Sequence, residues 1–333
     1  MKIIQWNIRG YRAKYPELLS LMQSHNPSVV CLQEAMLGDR VPRAPNGYSL
    51  QSYSSTNAAV PGDGLVFLFR LDVPYLRIPL NTTLQAFAFR TGTNPQLVIC
   101  NLYISPNAAF NANQLEALVN QVDSPFIVLG DFNAKSRIWG SETENSRGQL
   151  IEDYLETNEV CIMNNGLPTR FDTYSGNTSA LDLTLCSPQL QARFDWTTED
   201  ETHGSDHFPI IISTENAPSH KRPTFTEKKA DWTEFYERTR IADEPMENTS
   251  VSNCVALFTE HVTSAAYASI PIATRQTLPK CVPWWTPECT AAKAERRRTQ
   301  RLFQRTRLQC DLISMKRARA ISVKTLKQTK KAS

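Results

Sequence analysis

Short apolar runs alternate with amphipathic stretches along the first 215 residues of this 333-residue chain. Apolar residues recur at helical spacing within residues 16–25, 113–122 and 147–155, which predicts three amphipathic helices. Between these stretches lie nine runs typical of β-strands, at residues 2–7, 29–33, 64–70, 85–90, 97–104, 126–129, 160–163, 180–185 and 208–213. That much sheet with few helices favours a four-layer α/β sandwich, in which two mixed β-sheets pack face to face with helices outside.

The character of the chain changes near residue 216. Two prolines and several polar residues at 216–222 indicate a linker, and a weak helical pattern continues to about residue 290. Residues 291–333 hold 14 Lys and Arg against 2 Asp and Glu, whereas residues 1–220 hold 14 against 22. We therefore predict a domain at 1–215, a linker at 216–290 and a basic helical tail at 291–333. The tail is a candidate for contact with DNA or RNA, although a solvated linker helix explains its charge equally well.

Polar side chains stand at the ends of several predicted strands. Glu34 directly follows one apolar run, and Asp131 and Asn133 follow another. A carboxylate at the end of a buried strand is costly unless it is paired or bound to a cation, so several such residues indicate one convergent acidic site. Carboxylate and amide oxygens suit Mg²⁺ or Mn²⁺. The pattern favours a metal-assisted hydrolase without naming its substrate. The other strand-end residues are Asn7, Asp182, Asp206 and His207.

Six segments that occur in a fixed order resemble the motifs of the endonuclease/exonuclease/phosphatase superfamily. Each segment is weak alone, but the ordered set is specific. The resemblance implies a metal-dependent phosphodiesterase domain. The segments are Gln-Trp-Asn-Ile-Arg-Gly at 5–10, Cys-Leu-Gln-Glu at 31–34, Asn-Leu-Tyr-Ile-Ser-Pro at 101–106, Gly-Asp-Phe-Asn-Ala at 130–134, Leu-Asp-Leu-Thr-Leu at 181–185 and Ser-Asp-His-Phe-Pro at 205–209.

A narrower resemblance is to the apurinic-like endonuclease domain of non-LTR retrotransposons. It rests on Trp-Gly at 139–140, Asn-Ser-Arg-Gly at 145–148 and Thr-Ser-Ala-Leu-Asp-Leu-Thr-Leu at 178–185. Pro-Trp-Trp-Thr-Pro-Glu-Cys at 283–289, followed by an Arg-rich stretch, resembles the linker towards the reverse transcriptase of such elements. Residues 221–333 contain no Asp-Asp pair of the kind that a reverse transcriptase needs, so we expect the polymerase to be absent from this chain.

The superfamily resemblance implies a metal site. Glu34 is the strongest candidate ligand, with Asn7 beside it and Asp206 as a third. The expected ion is Mg²⁺, with Mn²⁺ as the alternative. Arg9 occupies a place where some repair enzymes of the superfamily carry an acidic residue, so no metal contribution is expected from that position.

The same resemblance implies the residues that act on the phosphate. Asp131 is the implied base or orienter of the attacking water, and Asn133 the implied donor to the phosphate. His207 is expected to face the phosphate, because a carboxylate partner, Asp182, would fix its tautomer and favour its charged form. The hydroxyl group of Tyr103 is a further candidate for phosphate contact, with core packing as the alternative.

The implied reaction is Mg²⁺-dependent hydrolysis of a DNA phosphodiester that leaves a 3′-hydroxyl, as in target-site nicking by a retrotransposon. The alternatives are a cellular abasic-site repair endonuclease, a phosphatase acting on inositol phosphates or lipids, and a catalytically idle copy that binds nucleic acid. No secretory signal and no apolar run of membrane-spanning length is present, so no membrane partner is expected. The basic clusters favour the nucleus, with the cytoplasm as the alternative, and the sequence does not indicate an oligomeric state.

Overall fold

The computed structural model describes residues 1–38, 42–53, 64–93, 96–172, 174–214, 229–240, 251–271 and 284–332. The chain divides into two compact units. One unit combines residues 1–216 with residues 281–333, and the other consists of residues 217–280. The linker predicted at 216–222 lies outside the described residues.

The strands are β1 (Lys2–Asn7), β2 (Val29–Gln33), β3 (Tyr48–Tyr53), β4 (Leu65–Arg70), β5 (Tyr75–Ile78), β6 (Gln85–Thr91), β7 (Leu97–Tyr103), β8 (Phe126–Asp131), β9 (Cys161–Ile162), β10 (Arg170–Phe171), β11 (Thr178–Ser179), β12 (Asp182–Cys186), β13 (Asp195–Thr198) and β14 (Ile210–Ser213). The helices are α1 (Tyr11–His25), α2 (Ala112–Val119), α3 (Ser146–Thr157), α4 (Pro188–Gln191), α5 (Trp232–Arg238), α6 (Val251–Ser269), α7 (Pro287–Thr306) and α8 (Gln309–Ala332).

Two six-stranded sheets form the centre of the first unit. Their strand orders are β13-β14-β1-β2-β4-β3 and β5-β6-β7-β8-β12-β9, and β10 pairs with β11 in a separate short ribbon. Each sheet is mixed, because β1 runs parallel to β2 and β7 runs parallel to β8, while the other neighbouring strands are antiparallel. The predicted pair of mixed sheets is therefore confirmed.

Three apolar clusters separate the layers. Alternate residues of a strand point to opposite faces of its sheet. Ile3 of β1 accordingly packs in the cluster between the sheets, and Ile4 packs in the cluster on the outer face. Helix α1 covers that outer face with Leu18, and α2 and α3 cover the outer face of the second sheet with Leu115 and Ile151. The predicted four-layer sandwich is confirmed.

The sequence pattern missed the strands that expose much of their length. β3 and β5 have no fully buried residue, and β10 and β11 are only two residues long. Such strands lack the continuous apolar run that marks a strand buried on both faces. Helix α1 also begins at Tyr11, earlier than the pattern predicts, because the amide groups of Gly10 and Tyr11 donate to the carbonyl groups of Glu34 and Ala35 at 2.8 Å.

The two basic helices near the C-terminus pack against the sandwich. Arg296 Nη2 lies 3.2 Å from Glu17 Oε1 and 2.5 Å from Glu201 Oε1, and Lys293 Nζ lies 2.9 Å from Glu17 Oε2. Burial raises the pKa of Glu17, but His203 and these two cations hold it well below its ordinary value. An apolar cluster adds a second contact, formed by Phe303, Leu312 and Met315 of the helices with Phe171 and Phe208 of the domain.

The second unit contains two described helices, α5 and α6, which pack against each other. Asp231 caps α5 by accepting hydrogen bonds from the amide groups of Thr233 and Glu234 at 3.1 and 2.9 Å, and the Asp231 amide donates to the Ser269 carbonyl at 2.9 Å. Across the described residues of the chain, no helix is both long and apolar enough to cross a membrane.

Candidate active site

The loops that follow β1 and β2 meet at one end of the first sheet. The Gly10 amide donates to the Glu34 carbonyl at 2.8 Å, which ties the two loops together. Arg9 and Glu34 have φ angles of +46° and +47°, in the left-handed region that non-glycine residues rarely adopt. Such backbone strain concentrates at functional sites, where the surrounding structure holds it. Here it brings the side chains of Asn7, Arg9 and Glu34 to one point.

A chain of polar contacts crosses from the first sheet to the second. Asn7 Nδ2 donates to Glu34 Oε1 at 3.0 Å and to Asp131 Oδ2 at 2.8 Å. His207 Nδ1 lies 2.7 Å from Asp182 Oδ2, and His207 Nε2 lies 3.9 Å from Asp131 Oδ2. Asp131 and Asp182 stand opposite each other where β8 pairs with β12. The structure thus brings together five of the predicted residues.

The buried trio of Asp131, Asp182 and His207 shares charge. Burial and the charge of Asp182 raise the pKa of Asp131 to about 7, against the opposing charge of His207. Burial alone lowers the pKa of His207, but the charge and hydrogen bond of Asp182, helped by Asp131, raise it to about 9. Ligand atoms of the trio lie within 4.8 Å of one another, which also suits a cation. His207 Nδ1 is engaged with Asp182, which leaves Nε2 on the side of Asp131.

Asp206 is held by two arginines. Its Oδ2 accepts from Arg9 Nη1 at 2.8 Å and from Arg170 Nε at 3.1 Å. Burial raises the pKa of Asp206, but the charges of His207, Arg9 and Arg170 lower it overall. Arg9 Nε also lies 3.6 Å from Glu34 Oε2. The Arg9 guanidinium therefore spans two of the three predicted metal ligands.

The three predicted metal ligands offer oxygen atoms that fit a hard divalent cation. The side-chain oxygen Oδ1 of Asn7 and the carboxylate oxygen Oδ1 of Asp206 are buried, and neither has a hydrogen-bond partner among the residues that the structure describes. The Glu34 side chain lines the adjacent cleft. Orphaned buried acceptors are costly, and a cation relieves that cost. Amide and carboxylate oxygens are the donors that Mg²⁺ prefers.

Asn145 and Arg147 hold the backbone on which Asn133 stands. Asn145 Oδ1 accepts from the amide groups of Gly148 at 2.8 Å and Lys135 at 3.0 Å, and its Nδ2 donates to the Asn133 carbonyl at 3.0 Å. A Cβ atom at Gly148 would lie 1.9 Å from the Lys135 carbonyl oxygen, so only glycine fits there. From the sequence alone, this Asn-Ser-Arg-Gly motif carried a resemblance but no role. The Arg147 guanidinium donates to the carbonyl groups of Phe132, Ser105 and Ala108.

These residues open into a cleft of about 620 Å³. Five of the predicted residues line it, namely Glu34, Asp131, Asn133, Asp206 and His207. Four cations that the sequence did not predict as site residues line it as well, namely Arg9, Lys135, Arg147 and Arg170. Asn7 and Asp182 are buried beside the lining residues and bond to them.

Tyr103 is buried, with 4% of its surface exposed, and it is not among the residues that line the cleft. Burial raises its pKa well above the ordinary value, and the charges of Glu34 and Asp131 raise it further. Its hydroxyl group is therefore neutral at physiological pH and lies in the field of the two carboxylates. The contact of Tyr103 with a phosphate stays a prediction.

The family comparison agrees with the geometry. Residues 97–211 match the profile of a family described as endonuclease-reverse transcriptase. The matched residues lie within the first unit and run from β7 into β14. Among curated proteins, the chain is similar to the probable RNA-directed DNA polymerase from transposon X-element of Drosophila melanogaster, with 22% identity over 330 residues. The alignment covers 96% of this chain and 36% of that protein, so the chain spans about a third of the length of its relative.

Solved structures show the same fold. The endonuclease domain of TRAS1, a telomere-specific non-LTR retrotransposon, matches with a TM-score of 0.55 and 20% identity, covering 64% of this chain and 97% of that domain. An AP endonuclease from Archaeoglobus fulgidus matches with a TM-score of 0.53 and 16% identity, covering 65% of this chain and all of that one. These likenesses cover almost the whole of each solved chain and establish the fold.

Proposed function

We propose that this chain is a metal-dependent endonuclease that hydrolyses a phosphodiester bond of DNA. The observation that carries the proposal is the meeting of the His207–Asp182 pair with Asp131 and Glu34 at the wall of one cleft. The named activities of the two similar solved structures, a retrotransposon endonuclease domain and an AP endonuclease, support DNA as the substrate.

In the proposed reaction, a water molecule attacks the phosphorus atom and the bond to the 3′ oxygen breaks. The departing oxygen takes up a proton from solvent, which yields a 3′-hydroxyl and a 5′-phosphate. Asp131 takes the proton of the water, because a pKa of about 7 lets it exchange protons near neutral pH. His207, held charged by Asp182, faces a non-bridging oxygen and stabilises the negative charge that develops there.

Two further side chains orient the substrate. Asn133 Nδ2 donates one hydrogen to the Ile104 carbonyl at 3.0 Å, which leaves its second hydrogen for the phosphate. Asn133 has a φ angle of +50°, and its backbone N–H donates to Asp131 Oδ1 at 2.9 Å. Asn133 therefore also orients Asp131, the proposed base. We propose that Tyr103 adds a neutral hydroxyl beside Glu34.

Glu34, Asn7 and Asp206 would hold Mg²⁺, or alternatively Mn²⁺. When bound, the cation would neutralise charge on the phosphate and assist departure of the 3′ oxygen. Arg9 contributes a fixed positive charge between Glu34 and Asp206, and it thereby limits the repulsion between these carboxylates and the phosphate.

The relatives of the chain suggest a biological setting. We propose that the nick opens the target site of a non-LTR retrotransposon, where the 3′-hydroxyl would prime reverse transcription. The substrate would then be chromosomal DNA, and the basic helices would favour a nuclear location.

Incubation of the purified full chain with supercoiled plasmid tests the proposal. We expect conversion to the nicked form with Mg²⁺ and none with chelator or with the His207→Ala variant, which controls for contaminating nucleases. A DNA polymerase should extend the nicks without prior end repair, because only a 3′-hydroxyl is a primer. Nicking that persists in chelator would contradict the metal dependence, and nicks that need a phosphatase before extension would contradict the proposed cleavage.

The likeness to an AP endonuclease supports a second candidate, cleavage at abasic sites. Two duplexes that differ only by one abasic site separate the candidates. A retrotransposon nickase should cut both at similar rates, whereas a repair enzyme should prefer the abasic duplex by orders of magnitude. Binding of both duplexes without any cleavage in Mg²⁺ would instead favour the catalytically idle alternative.

A further inference from the structure

The position of α8 relative to the cleft is set by buried contacts. Arg296 of the adjacent helix α7 has 4% of its surface exposed and pairs with Glu17 and Glu201. From α8 itself, the Arg319 guanidinium donates to the Gly204 carbonyl at 3.3 Å. Gly204 lies two residues before Asp206, which lines the cleft. The middle of α8 therefore lies beside a loop that contributes to the candidate active site.

Two half-buried cations meet at Gly204. Lys14 reaches it from α1, since a Cβ atom on this glycine would lie 3.4 Å from Lys14 Cε. Arg319 reaches it from α8. Neither Lys14 nor Arg319 forms an ion pair with any residue in the part of the chain that the structure describes. An unpaired cation pair in a partly buried position is unfavourable unless an anion binds it.

The electrostatics of this pair agree with the geometry. Burial lowers the pKa of Lys14, and the charges of Arg319 and Arg9 lower it further, with Asp206 and Glu17 opposing them only in part. Burial likewise lowers the pKa of Arg319. This positive spot is unusual in a domain whose first 220 residues carry 22 acidic and 14 basic side chains.

The positive surface continues along the exposed side of α8. A shallow groove there is lined by Lys316, Arg319, Ala320, Val323, Lys324, Lys327 and Gln328. Arg319 and Lys327 are eight residues apart, which is about 12 Å along a helix. Over about that distance, one strand of duplex DNA carries three to four phosphates. The spacing of the cations therefore suits a phosphate backbone.

We propose that Lys14, Arg319, Lys324 and Lys327 form a phosphate-binding surface that holds duplex DNA on one side of the cleaved bond. This inference rests on the proposed function, because it takes the cleft as the place where the DNA is cut. The surface joins two regions that are far apart in sequence, and it makes α8 part of the DNA-binding machinery. Duplex DNA is favoured over RNA because Lys14 and Arg319 meet at Gly204, two residues before Asp206 of that cleft.

Salt-dependent binding of a blunt DNA duplex, measured by fluorescence anisotropy in chelator, tests the surface without catalysis. Each lost phosphate contact lowers the slope of log affinity against log salt by about 0.9. The double variant Lys324→Ala, Lys327→Ala should therefore have a slope smaller by about 1.8. Between about 50 and 200 mM salt, the factor by which its affinity falls should be about tenfold smaller than the factor for the wild type. Lys14→Ala should lose about 0.9, and Arg319→Lys should keep most of the wild-type slope.

Arg77→Ala is the matched control, since Arg77 is an exposed arginine on the edge strand β5 and does not line the cleft. Thermal melts check that each variant is folded. Unchanged slopes in the double variant and in Lys14→Ala, or an equal loss in Arg77→Ala, would overturn the proposal. Loss confined to single-stranded RNA, with duplex binding intact, would overturn it as well. A wild type that binds with the expected slope but does not nick plasmid in Mg²⁺ would contradict the proposed function and leave the surface supported.

Discussion

Replacing Asp182 with asparagine removes the charge that keeps His207 protonated. The two side chains lie 2.7 Å apart, and both are almost fully buried. Burial opposes a charged imidazole, so the pKa of about 9 depends chiefly on Asp182. In the asparagine variant we expect the pKa of His207 to fall to its ordinary 6.5 or below. A fall of about 2.5 units corresponds to a loss of about 3 kcal/mol of favourable interaction.

The kinetic consequence follows from the protonation state. At pH 7.5, a pKa of about 9 keeps nearly all His207 charged, whereas a pKa of 6.5 leaves about a tenth charged. The amide can also hold the wrong tautomer, so we expect nicking to slow by about 10²- to 10⁴-fold. Loss of the Asp182 charge also lowers the pKa of Asp131, because that charge raises it in the wild type. Both shifts move the pH optimum of the variant to lower pH.

Two measurements check this prediction. Titration of isotope-labelled histidine by NMR in metal-free protein gives the pKa of His207 among five histidines, and single-turnover nicking gives the rate. Asp195→Asn, an exposed carboxylate on β13, is the matched control and should change neither. The double variant of Asp182→Asn with His207→Ala should be little worse than the worse single variant, because the pair acts as a unit. An unchanged pKa of His207, or rate losses that simply add, would refute the reasoning.

The same pair makes stability depend on pH. Because the folded-state pKa of His207 is raised from 6.5 to about 9, its contribution is fully present below pH 6.5 and is lost as pH rises through 9. The difference in melting temperature between wild type and Asp182→Asn should therefore be larger at pH 6 than at pH 10. An equal difference at both values would show that His207 does not carry the charge assigned to it.

Three further variants test the site and the docking of the basic helices. Glu34→Gln should weaken Mg²⁺ binding in calorimetry and abolish nicking with little change in the unfolding midpoint; full activity would remove Glu34 from the metal site. Asp131→Asn should lose nicking activity. Because the carboxyl pKa of Asp131 is raised in the folded protein, the unfolding free energy of the wild type should decline between about pH 4 and 7, and urea titrations should show a smaller decline in the variant. Arg296→Met should cost about 3–5 kcal/mol of unfolding free energy, because it leaves two buried glutamates without their shared cation. Arg298→Ala removes an exposed arginine from the same helix and should not change the unfolding free energy. If Arg298→Ala and Arg296→Met had equal effects, the buried ion pairs would not hold the helices.

The pattern of apolar runs predicted those strands that are buried on both faces of their sheet. β1, β2, β4, β7, β8 and β12 have continuous apolar runs because they lie between the central core and an outer helical layer. The exposed edge strands β3 and β5 lack that signal, since solvent on one side admits polar residues. Pairing with a buried neighbour, which no local pattern encodes, makes them strands.

The sequence by itself also determined which polar side chains stand at strand ends, because a polar residue beside an apolar run is visible locally. Only the tertiary structure decided how they pair. Asn7 contacts Asp131, which lies 124 positions further along the chain, and Arg9 inserts between Glu34 and Asp206 where the sequence indicated only a lost acidic residue.

The basic helices illustrate the same limit. Their charge indicated either a nucleic-acid contact or a solvated linker, and local periodicity shows only a weak apolar face. Arg296 reaches Glu17 across 279 positions of sequence. Such a contact depends on the three-dimensional surface that the folded sandwich presents, so the residues that dock the helices cannot be recognised until the sandwich is in place. Sequence periodicity specifies local conformation and burial, whereas long-range packing specifies which charges become partners.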